Sequence, residues 1–300
     1  MGKSSSHKSG FTLIELSIVL VIIGLIVGGV LVGQDLIRAA SVRATISQIE
    51  RYNTAVNTFQ TKYGDLPGDM TATTATTFGF SPRSSGTGQG DGNGILQGVY
   101  CDAGTGCSDG WAQAGGETGL FWVDLSTANG LNVNLVDGAF STATWHAVRG
   151  SPTPSSSPSI DAYMPQAKLG RGNYVYVWSG GWLYGTTPLG SNGINYFGLS
   201  AISVINAGGS SEPTSTAGLT VQEAYSIDKK ADDGLPQTGH ITALYVSGYG
   251  QWMGASDTSA TAGDATTCYD NGNVNGVVQQ YSVSQNGGTN VNCALSFQFQ

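Results

Sequence analysis

The sequence predicts an α+β protein in which one long amino-terminal helix packs on a largely antiparallel β-sheet body with long loops. Three observations support this prediction. Residues 11–33 form an apolar run long enough to cross a membrane, and an amphipathic pattern follows it to residue 63. Charged residues make up only 11% of the chain, against about 25% in an average soluble protein, and 45 residues are glycine. That composition favours a β-rich, loop-rich body outside the cytoplasm.

The apolar run begins a membrane-spanning helix. A spanning helix needs roughly 20 apolar residues, and Glu15 is the only charged residue in 11–33. Lys3 and Lys8 precede the run, so the positive-inside rule holds the start in the cytoplasm and places the body outside. A secretory signal has a shorter apolar core followed by a small-residue cleavage site, whereas Gly10 precedes this run. The residues alone leave an uncleaved signal anchor equally open.

The helix is predicted to continue beyond the membrane, because the pattern after Gly33 becomes amphipathic. Apolar residues recur there at steps of three, four or seven, with polar residues between them, which predicts one apolar stripe. Gly64 and Pro67 are usual stop signals for a helix. The residues of the stripe are Val42, Ile46, Ile49, Val56, Phe59 and Tyr63.

The stretch KSGFTLIELSIVLVIIGLIV, residues 8–27, resembles the leader and first helix of type IV pilins and type II secretion pseudopilins. The matching features are a basic leader that ends in Gly10, then Phe11, then an acid at Glu15 within an apolar run. The resemblance divides the chain into a leader at 1–10, a helix at 11–63 and an exported body at 64–300. One departure is that residues 11–66 lack the helix-breaking proline of many pilins.

The resemblance implies how this segment would be processed and used. A prepilin peptidase would cut between Gly10 and Phe11 and methylate the new amino group of Phe11. Glu15 would dock the subunit into a filament by facing the amino terminus of a neighbouring subunit. The physics agrees, because a carboxylate in hydrocarbon costs several kcal/mol and is usually paired and functional.

The implied partners are the prepilin peptidase, identical or related pilin subunits, and an inner-membrane assembly platform driven by a separate ATPase. The implied location is the inner membrane before assembly, with the body outside. After assembly it is a periplasmic or extracellular filament.

The body has several local landmarks. YGDLPGDM at 63–70 and GDGNGIL at 90–96 predict turns, and ETGLFWVDLSTANG at 117–130 predicts a short helix. Together they resemble segments of long pilin-like proteins. Thr220 and Glu223 have the spacing of a capping box at the start of a helix that runs to about Lys230. A Ser/Pro-rich stretch at 151–159 predicts either a boundary within the body or a long surface loop.

Four cysteines in an exported body predict two disulfides. Four cysteines allow three pairings. We favour Cys101–Cys107 and Cys268–Cys293, because partners that are close in sequence face the smallest cost of loop closure.

Asp228, Asp232 and Asp233 form the most site-like cluster of the body. Carboxylates on a glycine-bearing loop suit calcium, which takes six to eight oxygen ligands. Some pseudopilins bind calcium in a carboxy-terminal loop, so the resemblance supports this hypothesis. The alternative is that the three acids only end a helix and form a turn. No other cofactor is predicted.

Several function classes find no support in the sequence. The net charge is −8 and no cluster of Lys and Arg indicates nucleic-acid binding. His146 and His240, the histidines of the body, do not lie in a zinc-protease pattern, and no G-x-S-x-G or P-loop is present. We therefore predict a structural filament subunit that is not an enzyme. The alternatives are a minor pilin or adhesin whose aromatic-rich body binds glycan or a surface, and a membrane-anchored extracytoplasmic enzyme.

Overall fold

A computed structural model describes most of the chain. The described residues are 13–83, 90–98, 101–102, 106–107, 116–126, 133–138, 140, 159–179, 193–206, 213–244 and 262–299. Contacts divide the chain into two units, Met1–Ser41 and Val42–Gln300.

The secondary structure comprises four α-helices and ten strands within the described residues. The helices are α1 (Leu13–Tyr63), α2 (Ala72–Phe78), α3 (Gly116–Leu125) and α4 (Val221–Ala231). The strands are β1 (Cys101–Asp102), β2 (Gly106–Cys107), β3 (Asn173–Ser179), β4 (Asn195–Ile205), β5 (Pro213–Thr216), β6 (Leu219–Thr220), β7 (Ile241–Leu244), β8 (Tyr269–Asp270), β9 (Gln280–Tyr281) and β10 (Val291–Gln298).

Helix α1 changes character along its length, as the sequence predicts. Large apolar side chains are exposed from Leu13 to Ile37. From Val42 onward one face of the helix is buried, including Val56 and Phe59. The helix ends at Gly64, which has a positive φ of 86° and donates its N–H to the Gln60 carbonyl at 2.8 Å. Glycine adopts this left-handed conformation without the steric cost of a side chain.

The central sheet has six strands, and every strand pair in it is antiparallel. The order is β3-β4-β10-β6, with β5 also paired to β4 and β7 to β10. Aromatic side chains join the sheet to the helices around Phe197 of β4. The ring centroid of Phe197 lies 6.0 Å from that of Tyr52 in α1 and 6.0 Å from that of Phe121 in α3. The predicted α+β class with an antiparallel sheet is confirmed.

The predicted helix at 117–130 is shorter than the sequence indicated. It ends at Leu125, whose carbonyl accepts the N–H groups of Leu135 at 2.9 Å and Val136 at 3.2 Å. All ten residues of α3 are buried, so it lies within the core rather than on the surface. The Ser/Pro-rich stretch 151–158 lies outside the described residues, and a boundary there stays a prediction.

Helix α4 begins as predicted. The Thr220 hydroxyl accepts the Glu223 N–H at 3.2 Å, and the Glu223 carboxylate accepts the Thr220 N–H at 2.9 Å. This reciprocal pair is the capping box expected from the sequence.

Candidate functional site

The predicted assembly segment includes the start of α1, where the described residues begin. Glu15 lies in the first turn of this helix. The side chains around it are apolar and exposed, with Leu13 at 89%, Ile14 at 68% and Leu16 at 56% exposure. Gly10 and Phe11 lie outside the described residues, so the structure does not describe the processing site. An all-round apolar surface of this kind requires lipid or other helices to cover it.

Helix α1 is long and apolar enough to cross a membrane, and its most apolar window has none of its surface buried inside the chain. Four glycines lie along this part, and a Cβ added to any of them would meet no atom within 4 Å. Glycines at four-residue spacing let helices approach closely in an apolar medium. These residues are Gly24, Gly28, Gly29 and Gly33.

The predicted turns at 63–70 and 90–96 are joined by Asp69, a buried carboxylate in the turn after α1. Its Oδ1 accepts the N–H of Gly92 at 2.8 Å, and its Oδ2 accepts the N–H of Gly94 at 2.6 Å. Burial raises the pKa of Asp69 to about 6, and the charges of Asp91 and Asp65 add to the rise. The carboxylate therefore holds the GDGNG loop at the end of the long helix.

The third landmark contributes Glu117, the second residue of α3. Its Oε1 accepts the N–H of Gly90 at 2.8 Å, and its Oε2 accepts the N–H of Gln97 at 2.8 Å. Burial raises the pKa of Glu117 well above its usual value, and the charge of Asp69 raises it further. Carboxylate oxygens of Asp69, Asp91 and Glu117 all lie within 4.8 Å of one another.

A buried ion pair completes this polar cluster. The Arg83 guanidinium donates to Oδ2 of Asp124, and both side chains have no exposed surface. The same oxygen accepts the N–H of Gly68 at 2.7 Å. Buried charges require such partners, because removing one partner leaves an uncompensated charge.

The sequence does not predict that these three landmarks converge. Each stretch by itself predicts only a turn or a helix, and nothing local pairs Asp69 or Glu117 with the glycine loop. The available signal was an acid in two of the stretches and a glycine loop, rich in backbone N–H donors, in the third. We call this set the carboxylate clasp: Asp69, Glu117 and the N–H groups of residues 90–97.

The structure does bring together the three acids predicted to bind calcium. Carboxylate oxygens of Asp228, Asp232 and Asp233 lie within 4.8 Å of one another. The three acids also accept hydrogen bonds at the carboxy-terminal end of α4. Asp228 accepts the Gly234 N–H at 3.0 Å and the Tyr281 hydroxyl at 2.7 Å.

The other two acids of this group accept hydrogen bonds as well. Asp232 Oδ2 accepts the N–H groups of His240 and Ile241, and Asp233 accepts the N–H of Leu235 at 2.8 Å and the hydroxyl of Thr238 at 2.6 Å. This geometry suits the helix-end alternative, and calcium binding stays a prediction.

One of the two favoured disulfides is present. Cys268 and Cys293 are bonded, which ties the segment before β8 to β10. Strands β1 and β2 pair with Cys101 directly opposite Cys107. The side chains of this second pair lie outside what the structure describes, so their disulfide stays a prediction.

The fold and the helix define a class of protein: an α+β body carried by a long helix with an exposed apolar half. A comparison with protein families makes this more specific. Residues 5–31 match the prokaryotic N-terminal methylation motif. With the long apolar helix, this motif fits a type IV pilin or pseudopilin. No curated protein and no solved structure matches the chain.

Proposed function

We propose that this protein is a structural subunit of a type IV pilus-like or type II secretion pseudopilus-like filament. The observation that carries the proposal is an acid, Glu15, on a helix whose apolar surface is exposed all round, within the methylation motif. In this proposal the chain is cut between Gly10 and Phe11, and the new amino group of Phe11 is methylated. The helix then stays in the inner membrane, with the body outside, until it enters the filament.

The role of Glu15 follows from electrostatics in an apolar medium. Cutting before Phe11 creates an amino group four residues from the carboxylate. A pair between that amine on one subunit and Glu15 on the next satisfies both groups, and removing one partner of such a pair costs about 3–5 kcal/mol. The apolar helices would surround this pair and exclude water from it. The contact therefore supplies register as well as affinity.

The partners of this proposal are a prepilin peptidase, further copies or related pilin subunits, and an inner-membrane assembly platform. The chain itself is proposed to catalyse nothing. The aromatic residues that the structure describes favour a core over a glycan-binding surface, since Trp122 and Trp178 are both buried. A structural subunit is therefore the function that the described residues support best.

Processing is tested by substituting the residue before the proposed cut. Gly10→Val is expected to leave the leader attached, because a bulky side chain would occupy the place of the small residue that the peptidase requires. Mass spectrometry of the amino terminus measures this. The wild type should begin at methylated Phe11, and Ser9→Ala is the matched control that should still be processed. An intact Met1 in the mature wild-type protein would refute the proposal.

Assembly is tested at Glu15. Glu15→Ala should insert and be cleaved normally but form few or no filaments, because the amine of the neighbouring subunit loses its partner. Asp35→Ala is the matched control, since it removes an exposed acid from the same helix beyond the apolar run. Electron microscopy and sedimentation of sheared surface material measure the filaments. Wild-type filament yield from Glu15→Ala would exclude the docking role.

A further inference from the structure

The body contains a cleft of about 290 Å³ where the second half of α1 meets residues 161–168. This volume is near the lower end of the range found for small-molecule sites. Part of the lining is apolar and comes from Phe140 and Met164, whose side chains are buried. The rest of the lining is polar and charged. The cleft is therefore large enough for one small ligand or for one unit of a polymer.

The cleft is held in shape by Gln48, a buried polar residue of α1. Its amide nitrogen donates to the Gln166 carbonyl at 2.9 Å and to the Tyr52 hydroxyl at 2.8 Å. Its amide oxygen accepts the Lys168 N–H at 2.8 Å. A site that is already ordered loses little conformational entropy when it binds a ligand. These bonds also occupy backbone groups of the cleft, so side chains must recognise the ligand.

Three hydrogen-bond donors of the cleft are available to a ligand. The Tyr52 hydroxyl accepts the bond from Gln48, and its own O–H has no acceptor among the described residues. Arg51 binds Asp137 through one nitrogen at 2.8 Å, and its side chain is 61% exposed. Lys168 is exposed and has no carboxylate partner in the described part of the chain. Two of the three donors are cations, which favours an anionic group on the ligand.

The cleft also offers acceptors, because Asp137 and Asp161 line it. Oδ2 of Asp137 accepts the bond from Arg51, and Oδ1 of Asp161 accepts the Tyr174 hydroxyl at 2.9 Å. The second oxygen of each acid has no donor within the described ranges. Both carboxylates would repel a simple inorganic anion. The ligand must therefore combine an anionic group with hydrogen-bond donors of its own.

From this arrangement we infer that the cleft binds a sugar that carries a carboxylate, such as a uronic acid unit of an acidic polysaccharide. The ligand carboxylate takes the cations Arg51 and Lys168. Ring hydroxyls donate to Asp137 and Asp161, and the C–H groups of the ring contact the apolar lining.

A peptide carboxyl terminus fits this cleft less well than a sugar does. Proteins commonly capture such a terminus with a group of backbone N–H donors, whereas the Lys168 N–H is already bonded to Gln48. The inference adds ligand binding to the proposed structural role and does not depend on it. All residues that line the cleft lie within the unit Val42–Gln300.

Calorimetric titration of the full-length protein in detergent tests the ligand class. The probe is a trimer of galacturonic acid, and the matched control is a trimer of galactose, which has the hydroxyls without the carboxylates. The acidic trimer should bind, and the neutral trimer should bind at least about tenfold more weakly. Trialanine, which has a free carboxylate and no sugar ring, is the third probe. Equal binding of both sugars, no binding of the acidic trimer, or tighter binding of trialanine would overturn the inference.

Substitutions locate the binding in the cleft. Arg51→Gln and Lys168→Gln should each weaken binding of the acidic trimer about tenfold. Their melting temperatures should match the wild type, because exposed charges contribute little to stability. Arg43→Gln and Lys230→Gln are the matched controls, since each removes an exposed charge from outside the cleft. Equal losses in these controls would show that the sugar binds by general electrostatic attraction and would overturn the inference.

Tyr52→Phe provides a readout that does not alter the charge of the cleft. It removes one donor and should also weaken binding of the acidic trimer, whereas an attraction due to charge alone would not change. Unchanged binding in this variant would contradict the proposed arrangement. A wild type that is neither processed nor assembled in cells would contradict the proposed function and leave the result of the titration as it stands.

Discussion

Asp69 and Glu117 are buried acids whose oxygens each accept one backbone N–H. These bonds favour the charged carboxylates, but burial and mutual repulsion outweigh them, so the pKa of each group is raised. The clasp therefore joins three parts of the chain at an electrostatic cost. The cost is greatest when both groups are charged.

The stability of the body should consequently increase as the pH falls from 7 to about 5. A raised pKa in the folded state means that folding takes up protons over this range, so the free energy of unfolding rises through pH 6, the pKa of Asp69. The contribution of Asp69 is at most about 3 kcal/mol. Asp228, with a pKa also near 6, acts in the same direction. Glu223 behaves differently, because hydrogen bonds from Arg171 and Thr220 outweigh the effect of burial and lower its pKa. Its titration therefore changes the free energy of unfolding only below this pH range.

Thermal unfolding of the full chain in detergent at pH 7.5, 6.5 and 5.5 measures this effect. Asp69→Asn should flatten the pH dependence, because it removes one of the titrating groups. It should also lower the stability, because the Asn side chain has only one acceptor oxygen for the N–H groups of Gly92 and Gly94. Asp264→Asn is the control, since Asp264 is exposed and its pKa is lowered rather than raised. A wild type that loses stability steadily from pH 7.5 to 5.5 would contradict the prediction.

Calcium binding at Asp228, Asp232 and Asp233 gives a second prediction at this scale. Added calcium should raise the melting temperature of the wild type, because a ligand that binds only the folded state stabilises it. Asp233→Asn should reduce that increase, since it removes an exposed carboxylate while retaining an oxygen that accepts hydrogen bonds. Calorimetric titration measures binding directly. The absence of both heat and a shift in melting temperature would reject the calcium hypothesis and leave the three acids as a helix end.

The turn between α1 and α2 depends on a glycine that no other residue can replace without strain. Gly68 has a φ of +86°, and a Cβ there would lie 2.3 Å from the carbonyl oxygen of Glu117. Gly64 has the same φ, but a Cβ there would meet nothing within 4 Å. The two positions therefore separate the cost of a left-handed conformation from the cost of a steric clash.

Gly64→Ala should destabilise the body by about 1–2 kcal/mol, the cost of a left-handed conformation for a residue with a Cβ. Gly68→Ala should cost clearly more, because the turn must also move away from the backbone of α3. Denaturant unfolding of both variants in detergent gives the comparison. Equal losses at the two positions would show that the close approach to Glu117 contributes nothing.

The elements that the sequence predicted well are those with local signals. Helix α1 has a continuous apolar pattern and a glycine stop, and α4 has a capping box at Thr220 and Glu223. The carboxylate clasp could not be predicted, because Asp69, Gly94 and Glu117 are brought together only by tertiary packing. The sheet order has the same origin, since β10 pairs with β4, β6 and β7 across large separations in the chain.

The two units of the molecule differ in whether their apolar side chains are exposed or buried. Residues 13–37 expose an apolar surface that water does not favour, whereas the unit from Val42 onward encloses a core of large side chains. The sequence predicts this division at the level of composition. It does not predict the order of the strands. The apolar surface of the first unit is therefore shielded from water only when lipid or other helices cover it.

The proposed location of the body makes a prediction about Cys268 and Cys293. Disulfides persist outside the cytoplasm, whereas cytoplasmic thiols are kept reduced. If the body lies outside the inner membrane, both cysteines should resist alkylation in intact cells and react only after reduction and unfolding. Mass spectrometry of the tryptic peptides measures the added mass. Free thiols in the mature protein would place the body in the cytoplasm and contradict the proposed topology.

The same bond should contribute to stability, because it closes a loop between residues 25 apart in sequence. Chain-entropy arguments give about 3.5 kcal/mol for a loop of this size. The double variant Cys268→Ser, Cys293→Ser should therefore melt at a lower temperature than the wild type, and its melting temperature should not respond to reductant. Since β10 pairs with three other strands, the loss should affect the whole sheet and give one cooperative transition. A separate early transition confined to the β8–β9 hairpin would show instead that the hairpin unfolds independently of the sheet.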